Sequence, residues 1–359
     1  MKFCWLATLL CASILSGCVE KQPLTRPDDA ANSPPVQRQA PVEPQEAIKS
    51  VAAMQDRLVR VAAPLLLKNQ GSCRKLSRPL MGFTARNQYS YSPELAKEAH
   101  LALNLGDALQ VGAIMPGSGA ARSGLQRGDQ LIAVEDEPMP QGANAEQEAP
   151  NVLAPLLADQ DSITLTVQRN GKARKVNISP TQACAFRIEL GNADNVNSYA
   201  DGARIMVTRG MLHFTQSDTE LAYVIARELA HNILLHPQQL KSAGTAAEII
   251  NALKPIFPQS GSENKTADLP PVPKEMDALA DRLALNMLKR ASINIDEVAA
   301  FWQRLAKQYP ANASNAHTAI HRDTAYRIAA IEKTVAAIEA REKMTRSVPR
   351  RPKSKKRRR

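Results

Sequence analysis

The chain has 359 residues, of which 44% are hydrophobic and 23% charged, and its formal net charge is +11. This ordinary globular composition argues against a mainly disordered or fibrous protein, and the length allows two or three domains. The five cysteines form no Cys-x-x-Cys pair, which excludes a thiolate zinc knuckle and a thioredoxin-type site.

The N-terminal segment has the pattern of a secretion signal. An apolar run over residues 3–15 is too short to span a bilayer, and therefore predicts a signal peptide over residues 1–17. The run ends in Leu-Ser-Gly-Cys at 15–18, which resembles the lipobox of bacterial lipoproteins. The resemblance implies cleavage before Cys18 and lipidation of its sulfur. Because Val19 stands where a retention signal would have Asp, it also implies the periplasmic face of the outer membrane.

The mature chain would begin with a tether and would keep two further cysteines. Residues 18–45 contain many Pro, Gln and Asp residues, which is typical of a linker. Cys73 and Cys184 would lie in an oxidising compartment, where a disulfide between them is expected. Two buried free thiols are the alternative.

The folded region begins with a helical pattern. Val51, Met54, Leu58, Val61 and Leu65 recur at steps of three and four residues, which predicts one amphipathic helix. We place it in an N-terminal helical segment over residues 46–79.

A β-rich module follows over residues 80–180. Apolar residues alternate in Ile163–Val167 and again at Val176 and Ile178, and Asn170-Gly171 between them predicts a type I′ hairpin. Upstream, VGAIMPGSGAARSGLQRGDQLIAVEDEPM at 111–139 resembles the core of a PDZ domain. The resemblance implies that peptide C-termini bind by adding a strand to a sheet edge. A structural β-module without a ligand is the alternative.

The next helix carries the candidate chemistry. Ser217 and Glu220 predict a capping box, and the helix is expected to continue until just before Pro237. Arg-Glu-Leu-Ala-His at 227–231 is a variant of the zincin motif His-Glu-x-x-His. In that motif two ligands share one helix face, and the Glu between them activates the metal-bound water.

Three segments before and after this helix accompany the zincin-like motif. NSYADGARIMVTRGML at 197–212 predicts a strand and a turn, and residues 276–284 predict a second amphipathic helix. His-x-x-Thr-x-x-Arg-Ile at 321–328 opens a last helix. In this order the segments resemble the CAAX-prenyl-protease-like gluzincin metallopeptidases, and within them the periplasmic lipoprotein branch with an inserted PDZ domain. The resemblance covers residues 46–340 or so.

The resemblance implies an α+β fold: a mainly helical zincin-like peptidase domain over residues 181–345 with a small β-sheet, plus the inserted β-rich PDZ-like domain. It also implies roles for single residues. These are Glu228 as general base, His321 and Arg327 near the reacting atoms, His231 and Asp277 as zinc ligands, Asp281 behind the ligands, and Asn197, Ser198 and Tyr199 as the strand that pairs with extended substrate. Asp277 is one methylene shorter than the family's Glu.

Arg227 departs from the family pattern, because it stands at the position of the first zinc ligand. A guanidinium has no free lone pair and would repel a divalent cation. We expect it to pair with Glu228, Asp277 and Asp281 instead, so that zinc binds weakly or not at all. A site rebuilt from His231, His236 and His321 is the alternative. His236 would point away from it on a continuous helix.

The sequence is compatible with three functions. The first is an envelope quality-control protein that binds extended or misfolded polypeptides with impaired or lost catalysis. The second is an active metalloendopeptidase with an atypical site, and the third is a non-enzymatic PDZ scaffold.

Two further segments are expected at the protein surface. Residues 259–273 are rich in Ser, Pro and Gly, and could cover the site or merely connect two helices. Residues 346–359 contain nine Lys or Arg and no acid, which leaves +2 for the rest of the chain. Such a tail is expected to be disordered and to attract an anionic membrane surface. No specific nucleic acid is expected as a partner.

Overall fold

The computed structural model describes residues 43–73, 76–253, 269–312 and 316–347, and it contains both helices and sheets. The signal peptide, Cys18, the tether up to residue 42, residues 259–268 and the tail from residue 348 lie outside the described residues. The helices are α1 Pro44–Lys68, α2 Gln70–Cys73, α3 Pro93–Leu103, α4 Gly119–Ser123, α5 Ala145–Asp159, α6 Arg209–Phe214, α7 Asp218–Ile233, α8 His236–Gln239, α9 Ala243–Leu253, α10 Lys274–Arg290, α11 Val298–Gln308, α12 His317–Ile320 and α13 Thr324–Ser347. Within this described part, no helix is both long and apolar enough to cross a membrane.

The strands form three sheets. They are β1 Ser77–Leu80, β2 Phe83–Arg86, β3 Gln110–Ile114, β4 Gln130–Val134, β5 Glu137–Pro138, β6 Ile163–Arg169, β7 Lys172–Ile178, β8 Thr181–Cys184, β9 Arg187–Gly191, β10 Ser198–Ala200 and β11 Arg204–Thr208. One sheet has the order β2-β3-β4-β6-β7 with β5 on β4, a second has the order β10-β11-β9, and β1 pairs with β8.

The β-rich part is built around the first of these sheets. β6 and β7 form the expected hairpin, and its turn residues Asn170 and Gly171 both have positive φ angles, of 52° and 75°. Such angles are what a type I′ turn requires. Apolar side chains from the sheet, α4 and α5 form a separate core that includes Val111, Leu131 and Leu165. This part therefore has its own hydrophobic core.

The helical part has its core around α7. Twelve consecutive residues of this helix, from Leu221 to Asn232, are buried. The Ser217 side chain caps the helix by accepting a hydrogen bond from the Glu220 amide. The Glu220 carboxylate accepts from the amide of Gln216 rather than from Ser217, so only half of the expected capping box forms. Residues from α1, α10, α11 and α13 complete the core around α7.

A covalent bond closes the base of the β-rich part. The predicted disulfide between Cys73 and Cys184 is present, with a Cα–Cα distance of 5.6 Å. Ser77–Leu80 pairs antiparallel with Thr181–Cys184 beside it. The chain therefore enters and leaves the β-rich part through one short ribbon next to the disulfide.

Removing this disulfide is expected to destabilise the protein. Replacing Cys73 and Cys184 together by Ala should lower the free energy of unfolding by about 4 kcal/mol, because the bond closes a loop of 111 residues in the unfolded chain. Urea unfolding followed by circular dichroism measures the change, and the reduced wild-type protein should behave like the variant. A loss below about 1 kcal/mol in both would contradict this account.

Candidate active site

Helix α7 places three candidate residues in the interior. Arg227, Glu228 and His231 are 1%, 3% and 4% exposed, so none of them is a surface charge. A charged group is this deeply buried only when it has partners. The partners of Arg227 therefore decide what the site can do.

The Arg227 guanidinium is paired with the two aspartates of α10. Its Nη2 donates to Oδ1 of Asp277 at 2.5 Å, and its Nε donates to Oδ1 of Asp281 at 3.1 Å. Oε1 of Glu228 is 3.5 Å from Nη1, which is an ion-pair contact. The predicted cluster of Arg227 with three acids is present, although each aspartate receives one bond from Arg227 rather than a bidentate pair. The cluster joins α7 to α10.

Asp281 is shared between two arginines. Arg327 of α13 donates to both of its oxygens, at 2.9 Å from Nε and 3.1 Å from Nη2. Burial opposes the charged form of Arg327, but the Asp281 carboxylate outweighs burial and raises the pKa of Arg327. The structure therefore brings Arg327 and Asp281 to the site, as expected, and uses them as an ion pair.

His317 and Trp302 enclose the other side of Arg227. Nε2 of His317 is 3.2 Å from Nη1 of Arg227, and its ring stacks on Trp302 with a centroid distance of 5.1 Å. The guanidinium carbons of Arg227 and Arg327 lie 5.5 Å and 4.8 Å from the Trp302 ring centroid. The sequence reasoning missed His317. Its one available signal was its position four residues before His321.

His321 lies at the turn between α12 and α13. Its Nδ1 is 2.8 Å from Oδ1 of Asp277 and 2.9 Å from Nη2 of Arg227. Burial, then the charges of Arg227 and Arg327, lower the pKa of His321 well below its usual value. Burial, then Arg227 and His321, lower the pKa of His231 well below its usual value. Burial, then His321 and the two arginines, do the same for the pKa of His317. All three imidazoles are therefore neutral near pH 7.

Glu228 stands where a general base would be, and its carboxylate is buried beside Ser198 and Arg227. Its Oε1 accepts a hydrogen bond from the Ser198 hydroxyl at 3.0 Å. Burial is the largest influence and raises the pKa of Glu228, while Arg227 opposes that change. Asn197, Ser198 and Tyr199 are themselves at most 2% exposed, so their side chains pack inward along β10.

The end of α7 differs from the sequence prediction. The helix stops at Ile233 instead of continuing to His236, and Leu235 takes a left-handed conformation with φ of 58°. The chain therefore turns back, which brings Nδ1 of His236 to 3.0 Å from Nδ1 of His231. The expectation that His236 points away from the site is wrong, because it assumed a continuous helix.

The residues present do not fit a zinc ion. Two groups of side chains could in principle hold a metal, namely Glu228, His317 and His321, and His231, Asp277 and His321. Arg227 contacts at least one ligand atom of each group, including the Asp277 oxygen at 2.5 Å. A divalent cation about 4 Å from a guanidinium would cost several kcal/mol even at an effective dielectric constant of 20. Nε2 of His231 and Oδ2 of Asp277 are buried without a hydrogen-bond partner among the described residues. These two ligand atoms are fewer than the three or four protein ligands of a zinc site.

The buried histidines predict a stability that falls in acid. Their pKa values are lower in the folded than in the unfolded protein, so the unfolded state binds more protons below about pH 6.5, and the free energy of unfolding drops as the pH falls. Each histidine contributes up to about 1.4 kcal/mol per pH unit. Glu228 has a raised pKa, so its protonation favours the folded state as the pH falls. This is one group acting against three histidines.

Urea unfolding at pH 7.5 and 5.5 measures this drop, and we expect it to be smaller in His317→Gln than in the wild type. His213→Gln, which changes an exposed histidine, is the matched control. An equal drop in all three proteins would refute the account.

A comparison with protein-family models matches about half of the chain. Residues 160–335 match the sequence profile of "Peptidase family M48", whose members depend on zinc. No curated protein matches the sequence.

Two solved structures are similar to a part of the chain. The crystal structure of the HtrA3 PDZ domain bound to a phage-derived ligand is 20% identical over 30% of this chain and 88% of that chain, with a TM-score of 0.22. The HtrA-type protease AlgW with tripeptide is 20% identical over 30% of this chain, with a TM-score of 0.21. The match spans 32% of the AlgW chain. Over residues 160–335, the chain is therefore similar to the metallopeptidase domain of peptidase family M48.

Proposed function

We propose that this protein binds extended or misfolded polypeptides in the bacterial envelope without hydrolysing them. The observation that carries the proposal is Arg227, which occupies the position of the first zinc ligand and bonds to Asp277 and Asp281. Zinc would supply the Lewis acid and the activated water in a member that binds it. Here the Arg227 guanidinium takes the place of the first zinc ligand. A guanidinium is not a Lewis acid and cannot coordinate and activate a water molecule.

The polypeptide would lie along β10. This strand is at the edge of the sheet β10-β11-β9, the position at which a further strand can be added to a sheet, and Ala200 is its most exposed residue. A narrow slot runs beside it, lined by Tyr199, Ala200, Val272 and Ile320 among others. The described end of the 259–273 segment, Leu269–Pro273, contributes to that lining, and the amide of Val272 donates to the carbonyl of Ile320.

The proposed cellular location and the other proposed partners are inferred from the sequence. The Cys18 motif supports a lipid anchor in the periplasmic branch of the family, on the outer membrane, with a role in protein quality control. The basic tail supports contact with an anionic membrane surface. The PDZ-type motif at 111–139 supports binding of peptide C-termini by the β-rich part.

An active enzyme is the second candidate. His236 lies close to His231, and His321 is in the same cluster, so three histidines surround one small region. This observation favours a rebuilt site over a purely structural PDZ scaffold. The nearby Arg227 argues against it, because the positive charge faces the same atoms.

Polypeptide binding along β10 can be tested directly. Fluorescein-labelled β-casein, an unfolded polypeptide, should bind the full-length protein in detergent and should stay intact on a gel, with or without a chelator. Ala200→Trp places a large side chain in the slot and should weaken binding about tenfold. Ala203→Trp, at an exposed neighbouring turn, is the matched control. Cleavage of casein that a chelator stops would overturn the proposal in favour of the second candidate.

A further inference from the structure

A groove runs along the surface of the helical part between α10 and α13. The two helices pack side by side and run in the same direction. Near their starts, the Lys274 ammonium lies 5.2 Å from the ring centroid of Tyr326. Near their ends, Lys289 pairs with Glu342 at 2.7 Å. The space between them measures about 750 Å³, and all of its lining residues belong to these two helices. We call it the α10–α13 groove.

The α10–α13 groove is long enough to hold several turns of a third helix. On α13 its lining extends from Tyr326 to Arg341, which at a rise of 1.5 Å per residue is roughly 22 Å. Leu279 and Tyr326 are 37% and 45% exposed, so the structure leaves apolar surface uncovered here. Four lining residues have short side chains that allow a neighbouring helix to approach closely, namely Ala278, Ala329, Ala330 and Ala337.

The charges of the groove are mostly positive. Its lining contains three cations, Arg282, Lys333 and Arg341, and one carboxylate, Glu275. None of these three cations has an ion-pair partner among the described residues, in contrast to Lys289. Lys333 and Arg341 are separated by roughly 12 Å along α13, which is about two helical turns. Carboxylates with the same spacing are the complement of this arrangement.

Three occupants fit the groove poorly. The same face of a second copy would bring these cations against their own counterparts, which like charges disfavour. The chain's own tail, residues 346–359, contains nine Lys or Arg and no acid, so it is repelled for the same reason. A flat bilayer surface would leave the concave space between the helices unfilled.

The walls of the groove also indicate the conformation of its occupant. Both walls are helices, whose backbone groups are hydrogen-bonded within each helix except at the ends. An extended segment would therefore find no sheet edge to pair with. A helix satisfies its own backbone hydrogen bonds and can lay one face into a groove between two others.

We propose that the α10–α13 groove binds an acidic amphipathic helix of a partner protein. The partner helix packs small or apolar residues against the alanines and Leu279. Its carboxylates, about eight residues apart, pair with Lys333 and Arg341, and a carboxylate on its other flank pairs with Arg282. This interaction goes beyond the function proposed above, because it uses neither β10 nor the cluster around Arg227.

The test uses a fluorescein-labelled helical peptide of about 18 residues, with Ala and Leu on one face and Glu on both flanks at the proposed spacing. The full-length protein in detergent should bind this acidic peptide in a fluorescence anisotropy titration, and the affinity should fall as salt is added. A peptide with Lys in place of every Glu should not bind. The acidic peptide with two central residues changed to Pro should bind at least about tenfold more weakly, because it cannot form the helix.

Substitutions in the groove locate the bound peptide. Ala337→Trp places a large side chain in the lining and should weaken binding about tenfold. Ala336→Trp is the matched control, at the adjacent exposed position of α13 outside the lining, and should bind like wild type.

Charge reversal tests the chemistry of the groove. Lys333→Glu combined with Arg341→Glu should weaken binding of the acidic peptide about tenfold and should allow the Lys peptide to bind instead. Lys307→Glu combined with Lys343→Glu, at two exposed positions outside the lining, is the matched control and should keep the wild-type preference.

Several results would overturn the proposal. These are no binding of the acidic peptide, equal binding of its Pro variant, or equal binding by Ala337→Trp and Ala336→Trp, which would assign the peptide to the basic tail. Vesicles of phosphatidylglycerol should bind wild type and Ala337→Trp alike, and weaker binding by Ala337→Trp would identify the groove as a membrane contact instead. Ala200→Trp should leave peptide binding unchanged, so a failure here is distinguishable from a failure of the β10 site. Circular dichroism of each variant shows that it is folded.

Discussion

Purified from cells supplied with zinc, the mature protein is expected to carry no stoichiometric zinc, whereas the double variant Arg227→His, Asp277→Glu is expected to bind about one ion per chain. In the wild-type protein the Arg227 guanidinium contacts Asp277 at 2.5 Å and His321 at 2.9 Å, so the ligand atoms already face a fixed positive charge. The double variant removes that charge and restores both the missing imidazole and the missing methylene. Elemental analysis after dialysis measures the metal without relying on catalysis.

The single variants separate the two defects. Arg227→His alone should bind zinc more weakly than the double variant, because the Asp277 carboxylate reaches less far. Asp277→Glu alone should bind none, because Arg227 remains. One zinc per wild-type chain would show that the cluster opens to accept the metal, and the assignment of Arg227 as its replacement would then be wrong.

Arg227→Met is expected to lower the free energy of unfolding by about 3–5 kcal/mol, because it leaves a buried carboxylate without its cation. Asp277 is fully buried and would keep two histidines as close partners among the described residues, His321 at 2.8 Å and His231 at 3.5 Å, whereas Asp281 would retain Arg327. Methionine has a similar length, so the change removes charge and hydrogen bonds more than volume. Urea unfolding at pH 7.5 measures the loss.

Two further variants identify the cause of that loss. Arg227→Met combined with Asp277→Asn should recover much of the stability, since the uncompensated charge is gone. Arg209→Met breaks an ion pair with the largely exposed Asp194 and should cost at most about 1 kcal/mol. Equal effects of Arg227→Met and Arg209→Met would mean that the buried cluster contributes no more than a surface pair.

Local patterns predicted several individual elements of the fold, whereas the fold class came from the family resemblance. The α1 repeat, the Ser217 cap and the Asn170-Gly171 turn each depend on a few neighbouring residues, and the structure confirms all three. The disulfide followed from the compartment implied by the signal sequence, and it is also present. These features needed no knowledge of distant contacts.

The parts that sequence reasoning missed depend on backbone conformations or contacts that no local pattern encodes. Leucine rarely adopts a left-handed conformation, so the turn at Leu235 just after the end of α7 was not predictable. For the same reason the approach of His236 to His231 was missed. His317 was missed because its neighbours Arg227 and Ser198 are 90 and 119 residues away in sequence. The sequence predicted that Arg227 pairs with Glu228, Asp277 and Asp281. It did not predict that Trp302 and His317 enclose this cluster.

The disulfide at the base of the β-rich part has a practical consequence for experiments on this protein. Any peptide bond cut between Cys73 and Cys184 would leave the two fragments joined through that bond. Such a nicked chain would migrate as a single species on a non-reducing gel and would separate only after reduction. Limited proteolysis of the inserted part, whether by an added protease or during purification, is therefore visible only when the gel is run under reducing conditions.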